Sequence, residues 1–440
     1  MSNLSKPDVP RFSVDVYQNE FLPEGGREVN AIVTVTSTGG GTAAGASAAS
    51  APDTAVVIMV DCSGSMDYPP AKMRNARQAT AAAIDVLREG VSFAVVAGTH
   101  QAKEVYPGLG RLAVADATTR AQAKEALRKL TPGGGTAIGT WLRLAERLLA
   151  SSDASIRHGI LLTDGRNEHE EPDALRASLD ACAGRFTCDA RGVGTDWEVK
   201  EVTGIASALL GSADIVADPS ALATDFTGMM ENVMGKELAD VSLRLWTPQG
   251  TEVQFVKQVA PTVRDLTDRR TEAGPRAGDY PTGSWGDESR DYHVCVRVPD
   301  AGVGREMLAA RASLVRPTRD GSAEVLAQGL VRAVWTDDLA ASTTINPQVA
   351  HYTGQAELAQ AIQQGLELRK SGDLDGATAK LGRAVQLASR SGNEDTAKLL
   401  AKVVDVVDAV NGTVRLKAKV SAEAEKTLET RSTKTVRVKK

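Results

Sequence analysis

Hydrophobic and polar residues alternate in two segments of the chain that lie far apart. In residues 11–37, apolar side chains occupy every second position on both sides of a turn cluster at residues 23–26. A period of two is typical of strands with one buried face, so this segment predicts a β-hairpin. Residues 238–340 show the same alternation and predict an antiparallel β-sandwich. Because an isolated hairpin is unstable in water, we expect the N-terminal hairpin to complete that sandwich.

Between these segments, residues 54–235 contain continuous apolar runs separated by helical patterns. Runs without alternation indicate strands that are buried on both faces, and they occur at residues 55–60, 91–96, 156–162 and 186–193. Buried strands that alternate with helices predict a doubly wound, mainly parallel sheet. We therefore expect an α/β domain inserted into the sandwich.

Two further segments are assigned from composition and periodicity. Residues 38–53 are rich in Gly, Ala and Ser, which predicts a flexible linker. Residues 352–427 carry apolar stripes at helical spacing and predict a docked helical bundle, with a third helix over residues 399–410.

Charge is unevenly distributed along the chain. From residue 415 onward there are nine Lys or Arg and three acids, so the rest of the chain is more acidic than the net charge of −5 suggests. Residues 428–440 are basic and rich in threonine, and we expect them to form a disordered interaction tail. Residues 415–440 contain no aromatic side chain that could stack on bases, which argues against nucleic-acid binding.

Composition also bears on the cellular location of the protein and on the kinds of metal site and catalysis that it could support. No apolar run approaches the roughly 20 residues of a membrane-spanning helix, and the N-terminus does not have the pattern of a signal peptide. We therefore expect no membrane span and a cytoplasmic location. The four cysteines and five histidines are scattered without a C-x-x-C pair, which argues against zinc sites and against catalysis by these residues.

Three short motifs place oxygen-bearing side chains at the ends of predicted elements. Asp61, Ser63 and Ser65 follow the first buried strand, Thr136 follows a glycine run ahead of a helix, and Asp164 ends the strand that starts near residue 156. The carboxyl ends of parallel strands meet at one edge of a sheet, so we expect these five side chains to converge. The alternative is a serine-rich turn that binds no metal.

Oxygen-only ligands suit a hard divalent cation such as Mg²⁺. Three of the five predicted ligands are neutral hydroxyls, so the two carboxylates supply all the negative charge. The ion would be under-neutralised, with one coordination position left open. Such a site is expected to capture an Asp or Glu from a protein partner.

Together the motifs resemble the metal-ion-dependent adhesion site of von Willebrand factor type A (VWA) domains, and the resemblance extends over roughly residues 54–235. It implies a Rossmann-like VWA domain, here inserted in the sandwich and followed by the helical bundle. It also implies that the two serines and the threonine coordinate the metal, while the two aspartates act directly or through water. Mg²⁺ is the expected ion, with Mn²⁺ or Ca²⁺ as alternatives.

The surroundings of the domain are similar to a bacterial, in particular actinobacterial, subset of these proteins. Members of that subset occur beside forkhead-associated domain proteins, kinases and phosphatases, or beside AAA+ partners. The resemblance implies a metal-dependent protein-binding scaffold, with a role in Ser/Thr phosphorylation signalling as one version. The alternative is a cofactor subunit of an AAA+ ATPase of the MoxR or chelatase type.

Residues beside the motifs are candidates for a partner-binding rim. Asp67 and Tyr68 follow the first motif, and Asn167, Glu168 and His169 follow the last. The alternatives are a solvated loop and an acidic segment that leads into the next helix.

The C-terminal threonines are candidate phosphorylation sites, namely Thr427, Thr430, Thr433 and Thr435. A phosphate on this segment would offer the charge and acceptor oxygens that a forkhead-associated domain grips. The alternative is a basic, solvated terminus.

The sequence does not favour an enzyme. It contains no phosphate-binding glycine loop followed by Lys and Ser or Thr, and no G-x-S-x-G nucleophile motif. We therefore expect a binding protein rather than an enzyme, and a magnesium-dependent phosphatase is the main enzymatic alternative.

Overall fold

The computed structural model describes residues 11–38, 53–318 and 321–437. The chain divides into two compact units. The α/β unit comprises residues 42–239, and the sandwich unit comprises residues 1–41 together with 240–440. Most of the predicted linker, residues 39–52, lies outside the described residues.

The N-terminal segment forms three strands, of which the first alternates between exposed and half-buried side chains and the third is mostly buried. They are β1 (Arg11–Gln18), β2 (Phe21–Leu22) and β3 (Glu28–Thr38). β1 and β3 pair antiparallel, with Val14 opposite Val35.

The α/β unit contains a mainly parallel sheet covered by helices. Its strands are β4 (Thr54–Asp61), β5 (Ser92–Gly98), β6 (Lys103–Tyr106), β7 (Ala113–Val114), β8 (Ile156–Thr163), β9 (Thr187–Val193) and β10 (Leu210–Val216). Its helices are α1 (Ala71–Val86), α2 (Ala117–Leu127), α3 (Ile138–Ala150), α4 (Pro172–Cys182), α5 (Val199–Ala208) and α6 (Leu222–Met234).

The strand order of this sheet is β10-β9-β8-β4-β5-β6, with β7 also pairing with β5. The central strand β4 is buried along its whole length, because α1 and α6 pack on one face of the sheet while α3 and α5 pack on the other. β4 lies between β8 and β5, which are reached by connections on opposite sides. A crevice forms at such a point outside the carboxyl ends of the strands.

Eight further strands follow in the sandwich unit. They are β11 (Leu238–Trp246), β12 (Glu252–Ala260), β13 (Arg264–Asp265), β14 (Thr271–Gly274), β15 (Ala277–Trp285), β16 (Glu288–Arg297), β17 (Glu306–Pro317) and β18 (Ala323–Trp335).

The N-terminal strands complete both sheets of this sandwich. One sheet has the order β1-β3-β16-β12-β13, and the other has the order β14-β15-β11-β17-β18-β2. The two sheets pack closely, since a Cβ added at Gly329 would lie 2.6 Å from the Val16 side chain. The predicted antiparallel sandwich, split by the α/β insertion, is confirmed.

The C-terminal part is helical with one small hairpin. Its elements are α7 (Leu339–Thr343), α8 (Pro347–Ser371), α9 (Leu374–Ser391), α10 (Glu394–Val403), β19 (Val404–Asp408), β20 (Thr413–Leu416) and α11 (Ala422–Arg431). The predicted helix over 399–410 is wrong beyond Val403, because four of the five residues at 403–407 are valines, which favour a strand. In the described part of the chain, no helix is both long enough and apolar enough to cross a membrane.

The predicted disordered tail is also wrong over residues 428–437. α11 continues to Arg431, and both Thr427 and Thr430 are buried in it. Beyond the helix, the segment adds to the turn after β12: the Val263 N–H donates to the Thr433 carbonyl at 2.8 Å, and the Thr435 N–H donates to the Pro261 carbonyl at 3.0 Å. Partners elsewhere in the fold therefore order a segment whose composition suggests disorder. Residues 438–440 lie outside the described part.

Candidate metal centre

The carboxylate of Asp61 accepts hydrogen bonds from two of the three motif loops. Asp61 is the last residue of β4, and its carboxylate is fully buried. One oxygen accepts the Ser63 N–H at 2.8 Å, and the other accepts the Thr163 hydroxyl at 2.7 Å and the Asp164 N–H at 3.3 Å. Asp61 thus fixes the loop after β4 against the end of β8, the neighbouring strand.

The hydroxyls of the motif surround one small space. Ser63 Oγ and Ser65 Oγ are 2.9 Å apart, and Ser65 Oγ donates to one oxygen of Asp164 at 2.6 Å. A Cβ added at Gly165 would lie 3.2 Å from Ser65 Oγ, 3.6 Å from Thr136 Oγ1 and 3.9 Å from Ser63 Oγ. The absence of a side chain at Gly165 leaves room for the three hydroxyl oxygens to face a common point.

The glycine run carries Thr136 to this point. The Gly133 N–H donates to the Cys62 carbonyl at 2.8 Å, and the Gly64 N–H donates to the Gly134 carbonyl at 2.9 Å. Gly134 has φ +78°, and a Cβ there would lie 2.8 Å from His100 Nδ1. The backbone of the run therefore lies directly against the first motif loop, which larger residues would prevent.

A third connection joins the loop after Asp164 to the start of α3. Ala137, which precedes α3, has no side chain that could cap the helix. Instead, Asn167 Oδ1 accepts the Ile138 N–H at 2.7 Å, and Glu170 Oε2 accepts the Gly139 N–H at 2.8 Å. The loop after Asp164 therefore supplies the cap of the helix that follows Thr136.

His169 completes this connection. Its backbone N–H donates to the Thr136 carbonyl at 3.0 Å, and its Nδ1 accepts the Thr136 N–H at 3.2 Å. The imidazole packs over Gly135, where a Cβ would lie 2.3 Å from the ring. Both the backbone N–H and the backbone carbonyl of Thr136 are thus hydrogen-bonded to His169.

The residues of the predicted partner-binding rim differ in their exposure. Asn167 is buried and occupied by its contacts with Ile138 and Glu170, so its assignment to the rim is wrong. Asp67, Glu168 and His169 are exposed, and Tyr68 is 83% exposed. An open pocket of about 370 Å³ lies over the hydroxyls, and its lining includes Arg166, Glu168, His169 and Asp196.

Burial dominates the electrostatics at the base of the site. It raises the pKa of Asp61 to about 6, and the neighbouring Asp164 carboxylate adds to the rise. Burial also raises the pKa of the Cys62 thiol to about 12. Cys62 therefore remains a neutral thiol within the core, which agrees with its predicted role as an apolar filler.

Sequence reasoning missed one charged group. Lys72, in the first turn of α1, places its Nζ 2.7 Å from the second oxygen of Asp164. The sequence places Lys72 at the start of the helix that follows the first motif. It gives no sign that Lys72 contacts Asp164, which lies 92 positions further along the chain.

The chemistry of the donors fits a hard divalent cation. Five oxygen-bearing side chains converge on one space, and three of them are hydroxyls that face the Cβ position of Gly165. A bound ion would be held by Ser63, Ser65, Thr136 and Asp164, with Asp61 behind them supplying charge and orientation. Oxygen ligands of this kind suit Mg²⁺ better than softer metals.

Two sequence profiles match the chain. The von Willebrand factor type A domain matches residues 54–215, and the von Willebrand factor type A C-terminal domain matches residues 386–432. A solved von Willebrand factor type A protein from Catenulispora acidiphila is 50% identical to this chain, covers 99% of both chains and superposes with a TM-score of 0.93. The chain belongs to the von Willebrand factor type A family. The second profile covers the end of α9, α10, the β19–β20 hairpin and all of α11, so this part of the C-terminal region belongs to the family's architecture.

Two further comparisons give more distant similarities. An uncharacterized protein of Synechocystis is 29% identical over 215 residues, which is 48% of this chain and 49% of that protein. The chain therefore spans about half the length of this curated relative. The ArnB paralog VWA2 from Sulfolobus acidocaldarius is 15% identical over 95% of this chain and 97% of that chain, with a TM-score of 0.60. At that identity, the likeness shows the fold alone.

Proposed function

We propose that this VWA protein binds a divalent cation, Mg²⁺ in the first instance, and uses the bound ion to capture an acidic side chain of a protein partner. The observation that carries the proposal is the set of three hydroxyl oxygens facing one open pocket. Hydroxyls hold a cation without neutralising it, so the ion keeps affinity for an external carboxylate.

The pocket is suited to a side chain that arrives from another protein. Ser65 is exposed at its base, whereas Asp61, Ser63, Thr136 and Asp164 are buried beneath it. A carboxylate that enters the pocket would meet the ion on its solvent side. Tyr68 and Glu168 are exposed beside the site and would contact the surface around that carboxylate.

The proposal describes a binding protein rather than an enzyme. The imidazole that lines the pocket is engaged through Nδ1 with the Thr136 N–H, and the Ser65 hydroxyl donates to Asp164. These groups stabilise the site instead of presenting a base to a substrate. Magnesium-dependent turnover of a generic phosphate ester that is lost in Asp61→Ala would instead indicate a phosphatase.

A pull-down with the full chain tests the function. The immobilised protein is exposed to lysate in Mg²⁺ and in EDTA, alongside Thr136→Ala and the exposed control Thr118→Ala. We expect interactors that are present in Mg²⁺, absent in EDTA, lost with Thr136→Ala and kept with Thr118→Ala. Exchanging one Asp or Glu of the captured partner for Asn or Gln should then abolish binding.

The identity of the captured protein distinguishes versions of the proposal. A forkhead-associated domain protein would favour the signalling version, and an AAA+ motor would favour the cofactor-subunit version. Identical interactors with and without metal would contradict metal-dependent capture.

A further inference from the structure

A lysine side chain lies inside the candidate metal centre. Lys72 Nζ is 2.7 Å from Asp164 Oδ2, 3.3 Å from the Ser65 carbonyl and 3.6 Å from Asp196 Oδ2. The lysine side chain is only 12% exposed, and the Asp164 side chain is fully buried. Because Ser65 occupies the other oxygen of Asp164, both oxygens of this predicted ligand are already engaged.

Local helix energetics do not explain a lysine at this position. Lys72 is the second residue of α1, where the helix dipole favours negative charge and disfavours positive charge. Burying an ammonium group carries a further desolvation cost unless it is paired. Contacts with Asp164 and the Ser65 carbonyl therefore hold the lysine at the site.

We propose that Lys72 is a built-in competitor of the divalent cation, and that cation binding moves its ammonium group away from Asp164 and leaves it paired with Asp196 alone. The proposal rests on the metal centre proposed above. A cation that takes an oxygen of Asp164 would lie within a few ångströms of the Lys72 charge, and the repulsion is strong in a buried setting. Asp196 lies within reach on the rim, with a side chain that is 71% exposed and able to receive the displaced charge.

Competition of this kind lowers the affinity of the centre for the cation. Without a cation, Lys72 compensates the charge of Asp164, which would otherwise be buried without a counter-ion. In the loaded centre, the same charge lies at the rim and adds to the attraction for an acidic partner. The lysine therefore weakens cation binding and strengthens carboxylate binding.

Isothermal titration of the full chain with MgCl₂, repeated with MnCl₂, tests the competition. We expect Lys72→Met to tighten cation binding by at least about tenfold, because one close positive charge is removed. Lys124→Met is the matched control. Lys124 also forms a lysine–aspartate pair, with Asp85. Asp85 lies in α1, about 20 Å from Lys72 along the helix axis at 1.5 Å per residue. This control should bind like the wild type.

A double-mutant cycle tests the movement to Asp196. Asp196→Asn should weaken cation binding several-fold in the wild type and have no effect in Lys72→Met, because the receiving carboxylate matters only when a lysine must move. An equal loss in both backgrounds would overturn the movement and leave only a direct attraction of Asp196 for the cation. If Lys72→Met unfolds without metal, Lys72→Gln removes the charge while retaining a polar side chain.

The outcomes separate the two proposals. Equal cation affinities of Lys72→Met and the wild type, both sensitive to Thr136→Ala, would overturn the role of Lys72 while supporting the metal centre. Weaker binding by both Lys72→Met and Lys72→Gln would also overturn it. No cation binding by any variant would overturn the metal centre and the competition together.

Discussion

The side-chain oxygen of Asn167 accepts the backbone N–H of Ile138 at 2.7 Å, and this bond joins two loops of the candidate metal centre. Asn167 follows Asp164 by three residues, and Ile138 follows Thr136 by two. The bond therefore sets the position of one predicted ligand relative to another across 29 residues of sequence. A neighbouring loop caps α3 where the helix has no side-chain cap of its own.

Asn167→Ala should destabilise the α/β unit and weaken cation binding together. The change leaves the buried Ile138 N–H without an acceptor, which costs about 1–3 kcal/mol. Urea denaturation measures the stability, and titration with Mg²⁺ measures the affinity. Asn393→Ala is the control, because Asn393 also caps a helix, α10, in the other unit. The control should lose stability and keep its cation affinity; equal affinities of wild type and Asn167→Ala would contradict the account.

His169→Ala should weaken Mg²⁺ binding by about tenfold, the lower end of what loss of a group that orients a metal ligand costs. The reason is that Thr136 loses the acceptor of its backbone N–H. His169→Asn should restore most of the affinity, because the Asn side-chain oxygen reaches the position of Nδ1. Calorimetric titration compares the three proteins. If His169→Asn binds as weakly as His169→Ala, the hydrogen bond to Thr136 is not what positions the ligand.

The convergence of the five motif residues could be predicted from sequence because each lies directly beside an element that can be recognised locally. Asp61 and Asp164 end or follow apolar strands, and Thr136 precedes a helix. Parallel strands then bring their ends together by rule. The roles of Lys72 and Asn167 could not be predicted in this way, since they depend on contacts between loops that share no local pattern.

The C-terminal segment was predicted to be disordered, whereas the structure shows residues 428–437 packed against the fold. Its charge and threonine content indicated disorder, and composition is a guide to disorder only when a segment has no partner. Here Thr435 donates its hydroxyl hydrogen to the Val259 carbonyl at 2.6 Å, across 176 residues. Arg437 pairs with the buried Asp291 at 3.0 Å. Partners at this sequence separation cannot be identified from the segment alone.

This docking predicts slow hydrogen exchange in the C-terminal segment. The Thr435 amide should be protected because its N–H donates to Pro261, and Thr435→Val should reduce the protection by removing the side-chain bond to Val259. Exchange measured by mass spectrometry on the intact chain reports both effects. Exchange at the rate of an unstructured peptide in the wild type would show that the segment is free. A protected segment would further require undocking before a kinase could reach Thr433 or Thr435.

The sandwich unit should lose stability as the pH falls from about 6.5 to about 4. Burial, together with the nearby Lys257 ammonium, lowers the pKa of His293 to about 4. In this interval the unfolded chain binds a proton that the folded chain excludes, so stability rises with pH and is lost on acidification, on the order of 3 kcal/mol in all. His293 Nε2 donates to Asn30 Oδ1 at 2.8 Å.

Chemical denaturation at several pH values checks this prediction. His293→Gln should flatten the dependence in that interval, whereas His100→Gln, an exposed histidine of the other unit, should leave it unchanged. Equal slopes for the wild type and His293→Gln would assign the pH dependence to other groups.

We propose that a divalent cation binds among the hydroxyls of Ser63, Ser65 and Thr136 with one coordination position open to the pocket. A crystal structure grown in MnCl₂, with anomalous differences measured at the manganese edge, tests it most directly. We predict a peak within coordination distance of Ser63, Ser65 and Thr136, with water or a carboxylate from a neighbouring molecule completing the coordination on the pocket side. A structure in which this position holds no manganese, or in which the chain itself supplies every ligand, would contradict the claim.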